Sequence, residues 1–521
     1  MPTFTDQRRT ILDERLVGDL TRSVLADGSQ TRVVHSPLSG LALAEIPLSV
    51  ADDVACAVRQ ARAALRLWTG LGHRRRAQVV LAFHDLVLAR QDEILDLIQL
   101  ETGKTRANAF EEVGEVANVA RFYARAAAGL LTPRRRKGVL PLLGSATQRR
   151  LPRGVVGLIT PWNYPFALSL GEALAALLAG NAVVLRPDPN TSLSVLWGLN
   201  LLIEAGLPSG VLQLVTGDGD IGEAVVRRTD YVCFTGSTPT GRKVAQICAE
   251  RLVGYCLELG GKNALYVRAD ADLPRAVEVA LRSVFTGAGQ VCVHTERLVL
   301  HADIAEKFMA AFLAAVADLK VGVGLDYGKD MGSLLGPEQL QRVTDHVVDA
   351  VKHGATVLAG GRARPDLGPW VYEPTVLDGV TSAMDVRDAE TFGPVVSVYR
   401  VADDEAAVRF INDSDFGLHA TILSADRAAA GRLAPRLRVG SVSINESFLA
   451  SWGAAGAAMG ARGFSGTGGR HGSDGLLKYT TVQSVAEQRA GTLGVRGRAS
   501  QRRFADAFSK GLALLRRSGL R

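Results

Sequence analysis

Cysteine is scarce in this 521-residue chain, which has five: Cys56, Cys233, Cys248, Cys256 and Cys292. The count is odd, no C-x-x-C occurs and no Cys/His pairs fall at zinc-ligand spacing. Neither a disulfide framework nor a structural metal is expected, and no metal site is assigned. Long apolar runs are missing as well. No eighteen residues in a row are free of charge, proline and polar groups, which excludes a membrane-spanning helix. The start of the chain, from Met1 to Arg9, has no apolar segment before a small-residue cleavage site. A secretory signal is therefore not expected, and the expected location is cytoplasmic. Internal repeats and low-complexity tracts are also absent. What is present is the composition of an ordinary folded enzyme, 47% apolar and 22% charged, in a chain too long for one core.

The net charge of +7 is unevenly placed. From Arg489 onward nine Lys and Arg face a single acid, Asp506, so the tail accounts for all of the excess and the body is close to neutral. No nucleic-acid partner is expected for such a body. Within the tail Phe504, Phe508, Leu512 and Leu515 recur at helical spacing, giving a short basic amphipathic segment. A helix docked on the protein's own surface, or a solvated tail, is preferred here to attachment to an anionic membrane face.

Residues 51–130 carry helical periodicity, as in Val79, Val80, Phe83, Leu86 and Val87. Arg134 to Lys137, followed by Gly138, breaks it, and Val155 to Ile159 is a β-branched run that predicts a buried strand. Strand and helix then alternate, with strands at Val183 to Leu185, Val211 to Val215 and Tyr231 to Phe234. A second alternating series follows Glu258, with strands near Ala264 to Val267, Leu298 to Leu300, Thr356 to Leu358, Val395 to Val398 and Ser441 to Ile444. This rhythm predicts an α/β fold with parallel sheets whose ligand crevice lies at the carboxyl ends of the strands.

Five segments carry chemistry. Cys292 closes the run Phe285-Thr286-Gly287-Ala288-Gly289-Gln290-Val291-Cys292, and Glu258 opens Glu258-Leu259-Gly260-Gly261-Lys262-Asn263. Glycines beside a thiol let backbone N–H groups approach a reacting oxygen, and a glutamate in a glycine-bounded turn can serve as its base. The others are Pro161-Trp162-Asn163-Tyr164-Pro165, Phe234-Thr235-Gly236-Ser237 with Gly241, and Glu390-Thr391-Phe392-Gly393-Pro394. In this order and at these separations, the five segments closely resemble the aldehyde dehydrogenase superfamily from about residue 30 to about 485.

The resemblance implies a Rossmann-like cofactor-binding lobe (1–130 and 154–257) and a second α/β catalytic lobe (258–470). It also implies a small β oligomerisation element (131–153 and 471–485), with the basic tail at 486–521 beyond it. A homodimer or homotetramer is expected. Catalytic roles carry over to Cys292 as nucleophile, Asn163 as oxyanion donor and Glu258 as base. Because coenzyme A-acylating branches commonly lack this glutamate, Glu258 favours hydrolysis to a free acid. Gly236 and Ser237 match the turn at a helix N-terminus that receives a pyrophosphate. Trp162, Asn163, Leu259, Glu390 and Phe392 are expected around the rest of the cofactor.

Departures from the family pattern bear on cofactor choice. The usual lysine before proline is Arg186, and the acid that in NAD-preferring members binds the ribose hydroxyls is Pro189, with Asp188 beside it. Loss of that carboxylate removes repulsion toward a 2′-phosphate and a guanidinium adds a bidentate donor, so NADP is favoured over NAD. Glu172 stands where many members carry a lysine; a surface glutamate opening a helix is the preferred reading.

The wording of the chain looks most like the bacterial succinate-semialdehyde dehydrogenase branch, and succinate semialdehyde is the expected substrate. The two arginines that hold the distal carboxylate in that branch are Gly171 and Thr286 here, with Arg282 and Arg297 nearby in sequence. An apolar or aromatic aldehyde is the alternative, and a non-catalytic protein on the same fold a remote one. His294 replaces the second cysteine of a thiol switch, so no such switch is expected.

Overall fold

The computed structural model describes residues 12–137, 144–489 and 495–517. The stretch from Met1 to Arg9, Gly138 and Arg521 lie outside the described residues. The chain divides into two compact units, Met1–Leu130 with Pro152–Thr480 and Leu131–Leu151 with Thr481–Arg521.

The larger unit is built on two α/β sheets. In the first, the strands run in the order Gly466–Thr467, Gly254–Glu258, Tyr231–Thr235, Val155–Ile159, Ala182–Arg186, Leu212–Leu214. All pairings are parallel except that of Gly466–Thr467 with Gly254–Glu258. Numbered along the chain from Val155–Ile159, the parallel strands have the 3-2-1-4-5 order of a Rossmann sheet. The topological switch point therefore falls between Val155–Ile159 and Tyr231–Thr235, where Trp162, Asn163, Gly236 and Ser237 follow directly. Val155–Ile159 is buried at every position, the state its β-branched run predicts. Gly157 at its centre is required by packing, since a Cβ there would come within 2.5 Å of Thr229 Oγ1. Helix Ala51–Gly70 buries Val54, Ala57, Val58 and Ala61 against this sheet.

The second sheet runs Thr356–Ala359, Thr375–Asp378, Val395–Val401, Thr295–His301, Asn263–Val267, His419–Leu423, Ser441–Ile444, and is parallel except at its first strand. One face packs on helices Leu273–Phe285 and Ala302–Ala317 through Val284, Phe308 and Phe312. The structure thus has the expected α/β class, with a Rossmann-like lobe followed by a second α/β lobe. Glu258 is the last residue of a strand, and the glycine turn follows it instead of enclosing it.

The smaller unit contains the strands Thr480–Gln488, Gly144–Pro152 and Arg134–Lys137, adjacent in that order in one sheet. Its last described element is the helix Arg498–Arg517.

Candidate active site

A cavity of about 180 Å³ opens between the two lobes of the larger unit. Trp162, Asn163, Gly236, Ser237, Glu258, Leu259, Cys292, Glu390 and Phe392 all line it, so residues distant in sequence converge on one space. Gln339 and Arg342 line it too, from a helix with no recognisable motif. Arg186, Asp188 and Pro189 are not among its walls; they follow the neighbouring strand Ala182–Arg186.

Cys292 is placed by a backbone that only a glycine-rich sequence can follow. After helix Leu273–Phe285 three consecutive residues adopt left-handed φ: Gly287 at 61°, Ala288 at 54° and Gly289 at 71°. A Cβ on Gly289 would collide with the Gly393 carbonyl. Gln290 staples the turn, donating to the Gly287 and Ser333 carbonyls at 3.2 and 3.3 Å and accepting from Leu335 N at 3.0 Å. Asn263 Nδ2 donates to the Cys292 and His294 carbonyls, both at 2.8 Å. Burial pushes the Cys292 thiol up to about 12, so it is protonated at neutral pH.

Asn163 Nδ2 donates to the Gln290 carbonyl at 2.9 Å, which fixes the side chain two residues from Cys292 and leaves a second amide hydrogen uncommitted by this bond. Its own carbonyl accepts from Lys104 Nζ at 2.7 Å. Lys104 is buried, pairs with Glu112 at 2.6 Å and lies over the Tyr164 ring at 3.6 Å. Neither Lys104 nor Glu112 belongs to a motif, and sequence reasoning missed both.

Glu258 is buried, and desolvation raises its carboxyl to about 8, opposed by Arg470 and Lys478. Cys256 Sγ lies 3.8 Å from Glu258 Oε1 and 3.7 Å from Lys478 Nζ. Cys256 is fully buried, and Cys233 beside it and Lys478 hold its thiol below the usual value.

Glu172 also departs from expectation. It lies in the middle of helix Pro165–Leu178, is buried, and does not open the helix; Pro165 does. Its carboxylate pairs with Lys478 at 2.8 Å and with Arg470 at 3.3 Å, and accepts from the Tyr479 hydroxyl. Burial opposes ionisation, but the two cations overcome it and hold the carboxyl at about 2.

The far wall rests on another buried pair. Lys262 bonds Glu296, whose carboxylate accepts from Thr391 N at 2.9 Å and Phe392 N at 3.0 Å. This fixes a turn in which Phe392 adopts a φ of +57° and meets Trp162 edge to face at 5.5 Å. Glu390 Oε1 accepts from Gly261 N at 2.8 Å, and a Cβ on Gly260 would strike that carboxylate. At the cofactor lobe, a Cβ on Gly241 would come within 2.7 Å of Leu259 Cδ2, so helix Thr238–Glu250 can approach only because that residue is glycine.

Around strand Ala182–Arg186 the charges are interleaved. Arg186 donates from both Nε and an Nη to the Gly217 carbonyl, Nε at 2.8 Å. Asp188 Oδ1 accepts from the backbone and side-chain amides of Asn190, both at 3.0 Å. Arg32, from the N-terminal strand pair, binds Asp218 at 2.6 Å and was not visible as a site residue in sequence. The two arginines nearest Cys292 in sequence are occupied: Arg297 is buried and donates to the Lys262, Phe410 and Ile411 carbonyls, and Arg282 pairs with Glu278 and Glu446.

Residues 24–485 match the model of the aldehyde dehydrogenase family, and the chain belongs to that family. The putative succinate-semialdehyde dehydrogenase NADP(+) 2 of Mycobacterium ulcerans is 44% identical over 464 residues, covering 89% of this chain and 90% of the relative. The 4,4′-diapolycopene aldehyde oxidase of a Methylomonas species is 38% identical, over 85% of this chain and 83% of the relative. Among solved structures, the NAD+ complex of the aldehyde dehydrogenase from Bacillus cereus superposes with a TM-score of 0.86 at 31% identity, covering 92% of this chain and 99% of the other.

Proposed function

We propose that this enzyme oxidises an aldehyde to the free carboxylic acid with a nicotinamide dinucleotide, through a thiohemiacetal and then a thioester on Cys292. The observation that carries this reading is the convergence of Cys292, Glu258 and Asn163 on one cavity. A thiol pushed up to about 12 is a poor nucleophile until a base takes its proton, and Glu258 is the carboxylate on that cavity. Attack of the sulfur on the carbonyl carbon forms a C–S bond and an oxyanion. The Asn163 side-chain amide and the Cys292 backbone N–H are the donors for that oxygen. A nicotinamide dinucleotide held by Trp162, Glu390 and Phe392 would supply the oxidant, as acceptor of the hydride from this carbon. Glu258, having passed the thiol's proton to solvent, takes a proton from the water that attacks the thioester; the C–S bond breaks, the free acid leaves, and the proton on Glu258 returns to the Cys292 thiolate.

The chain's own features fit such a cofactor. Gly236 and Ser237 sit at the switch point before helix Thr238–Glu250, where backbone donors and the helix dipole suit a pyrophosphate. Trp162 and Phe392, in edge-to-face contact, form one apolar wall, and the Glu390 carboxylate is anchored for a ribose hydroxyl. NADP is the preferred form. Pro189 brings no acid to the adenosine ribose, the Asp188 carboxylate is engaged by Asn190, and Arg186 supplies positive charge, with Arg32 held near it on Asp218. The name of the M. ulcerans relative agrees.

Succinate semialdehyde, named for that relative, is the first substrate reading. A second, an aldehyde without a carboxylate, is supported by the residues at the two positions that carry arginines in that branch. A side chain on Gly171 would meet nothing within 4 Å, Thr286 is buried and uncharged, and Arg282 and Arg297 are already bound. The Methylomonas relative is named for such an aldehyde.

The test is Cys292→Ala. Turnover should fall by more than about a thousandfold while NADP still quenches intrinsic tryptophan fluorescence; retained turnover would sink the mechanism. Comparing kcat/KM for succinate semialdehyde, hexanal and benzaldehyde decides between the substrate readings.

A further inference from the structure

The smaller unit concentrates charge that the larger one lacks. Its two segments hold fifteen Lys and Arg against only Glu487 and Asp506, which leaves the larger unit net negative. Part of that charge lies on helix Arg498–Arg517, and none of its 20 residues, all of them described, is buried.

The arrangement around the helix axis is specific. At about 100° per residue, Phe504, Phe508, Leu512 and Leu515 fall within a sector of about 80°. Arg498 and Arg516 flank that sector, and Arg502, Arg503, Lys510 and Arg517 lie on the opposite side. Phe504 and Phe508 stack at 5.6 Å, and Leu512 is 47% exposed. Among the described residues no helix is long and apolar enough to cross a membrane, so a helix of this kind lies in an interface and does not span it.

We propose that helix Arg498–Arg517 docks on an anionic lipid bilayer. The Phe504, Phe508 and Leu512 face enters the headgroup and acyl boundary, and the basic side chains reach phosphate from its flanks. Charge complementarity selects an acidic partner, because the whole unit is cationic and draws such a surface from a distance. The apolar sector selects lipid among acidic partners: nucleic acid would pair with the basic side and leave Phe504 and Phe508 in water.

The test uses the full-length enzyme and vesicle flotation. Wild type should float with phosphatidylcholine vesicles containing phosphatidylglycerol, stay in solution with phosphatidylcholine alone, and dissociate as salt is raised. Phe504→Glu with Phe508→Glu retains every basic residue and should weaken flotation more than tenfold. Arg502→Gln, Arg503→Gln and Lys510→Gln together should do likewise. Turnover of a water-soluble aldehyde checks that each variant is folded, since none of these residues lines the cavity. Failure of wild type to float with anionic vesicles overturns the proposal. So does undiminished flotation of the Phe variant, which would reduce the contact to charge alone. A change in that variant's light-scattering mass with flotation unchanged would assign the face to a second copy of the chain. Tighter binding to duplex DNA than to vesicles, unaffected by the Phe variant, would assign the basic side to nucleic acid.

Discussion

The Glu172 carboxylate lies 2.8 Å from the Lys478 ammonium, deep inside the larger unit and behind the pocket that holds Glu258 and Cys292. With Arg470 and the Tyr479 hydroxyl it forms a buried cluster in which one negative charge faces two positive ones. Glu258 and Cys256 face the same cations, so the cluster sets the potential in which the proposed base ionises.

Glu172→Gln should therefore be a stability lesion. Removing one partner of a buried pair costs about 3–5 kcal/mol, because the remaining cations lose their counter-charge. The Glu172 carboxyl is held below its unfolded value of 4.5, so its contribution is fully present above that pH and is lost as pH falls toward about 2. Urea melts at several pH values check this: the gap between wild type and variant should be full at pH 7 and narrow below pH 4.5.

The proposed role of Glu258 predicts the opposite sign. Its carboxyl stands at about 8, above the ordinary range, so the native state keeps a proton that the unfolded chain releases from pH 4.5 upward. A reaction needing the carboxylate gains rate as pH rises through 8. The kcat/KM profile of wild type should show that limb, and Glu258→Gln should lack it and lose about 10²–10⁴ in rate. An unchanged limb in the variant would assign it to another group.

Cofactor choice is expected to rest on two arginines from different elements. Arg186→Ala with Arg32→Ala should raise KM for NADP by about tenfold or more, equivalent to about 1.4 kcal/mol, and leave KM for NAD nearly unchanged. Steady-state rates with each dinucleotide decide. An equal loss with both would mean that these side chains shape the fold of the crevice and do not recognise a phosphate.

Glu296 never reaches the cavity, yet it should matter to cofactor binding. Its carboxylate holds the amides of Thr391 and Phe392 and neutralises Lys262. Glu296→Gln keeps the acceptor but removes the charge, and should lower stability by about 3 kcal/mol and raise KM for the dinucleotide more than KM for the aldehyde. A variant with wild-type thermal midpoint and wild-type KM would contradict this account.

The order of strands was largely readable in the sequence where both faces of a strand are buried. Val155–Ile159, Tyr231–Thr235 and Asn263–Val267 announce themselves as largely apolar runs, and Ser441–Ile444 as an alternating one. Gly254–Glu258 does not, because glycine, two residues with polar atoms and a terminal carboxylate interrupt the pattern. His419–Leu423 begins on a histidine that burial keeps neutral, down to about 3, a state no window of sequence reveals. The residues on the cavity came from motifs, whereas Lys104, Glu112, Glu296, Arg32 and Arg342 act across long separations and carry no local signal. Glu172 was misread for the same reason. Its two cations are some three hundred positions away, and a lone glutamate in an apolar stretch looks like a helix end when its partners are unseen.

The short strand Gly466–Thr467 pairs antiparallel with the edge strand that ends on Glu258, in the register Gly466 to Glu258. A ribosome delivers the thiol, the amide and the carboxylate of the site well before it delivers this closing strand. Until then the edge beside Glu258 has open backbone groups, and Arg470, which follows four residues later, has not yet met Glu172. The nascent polypeptide thus carries a complete set of reactive groups without the environment that tunes them. That environment is completed only by the last part of the larger unit to be synthesised.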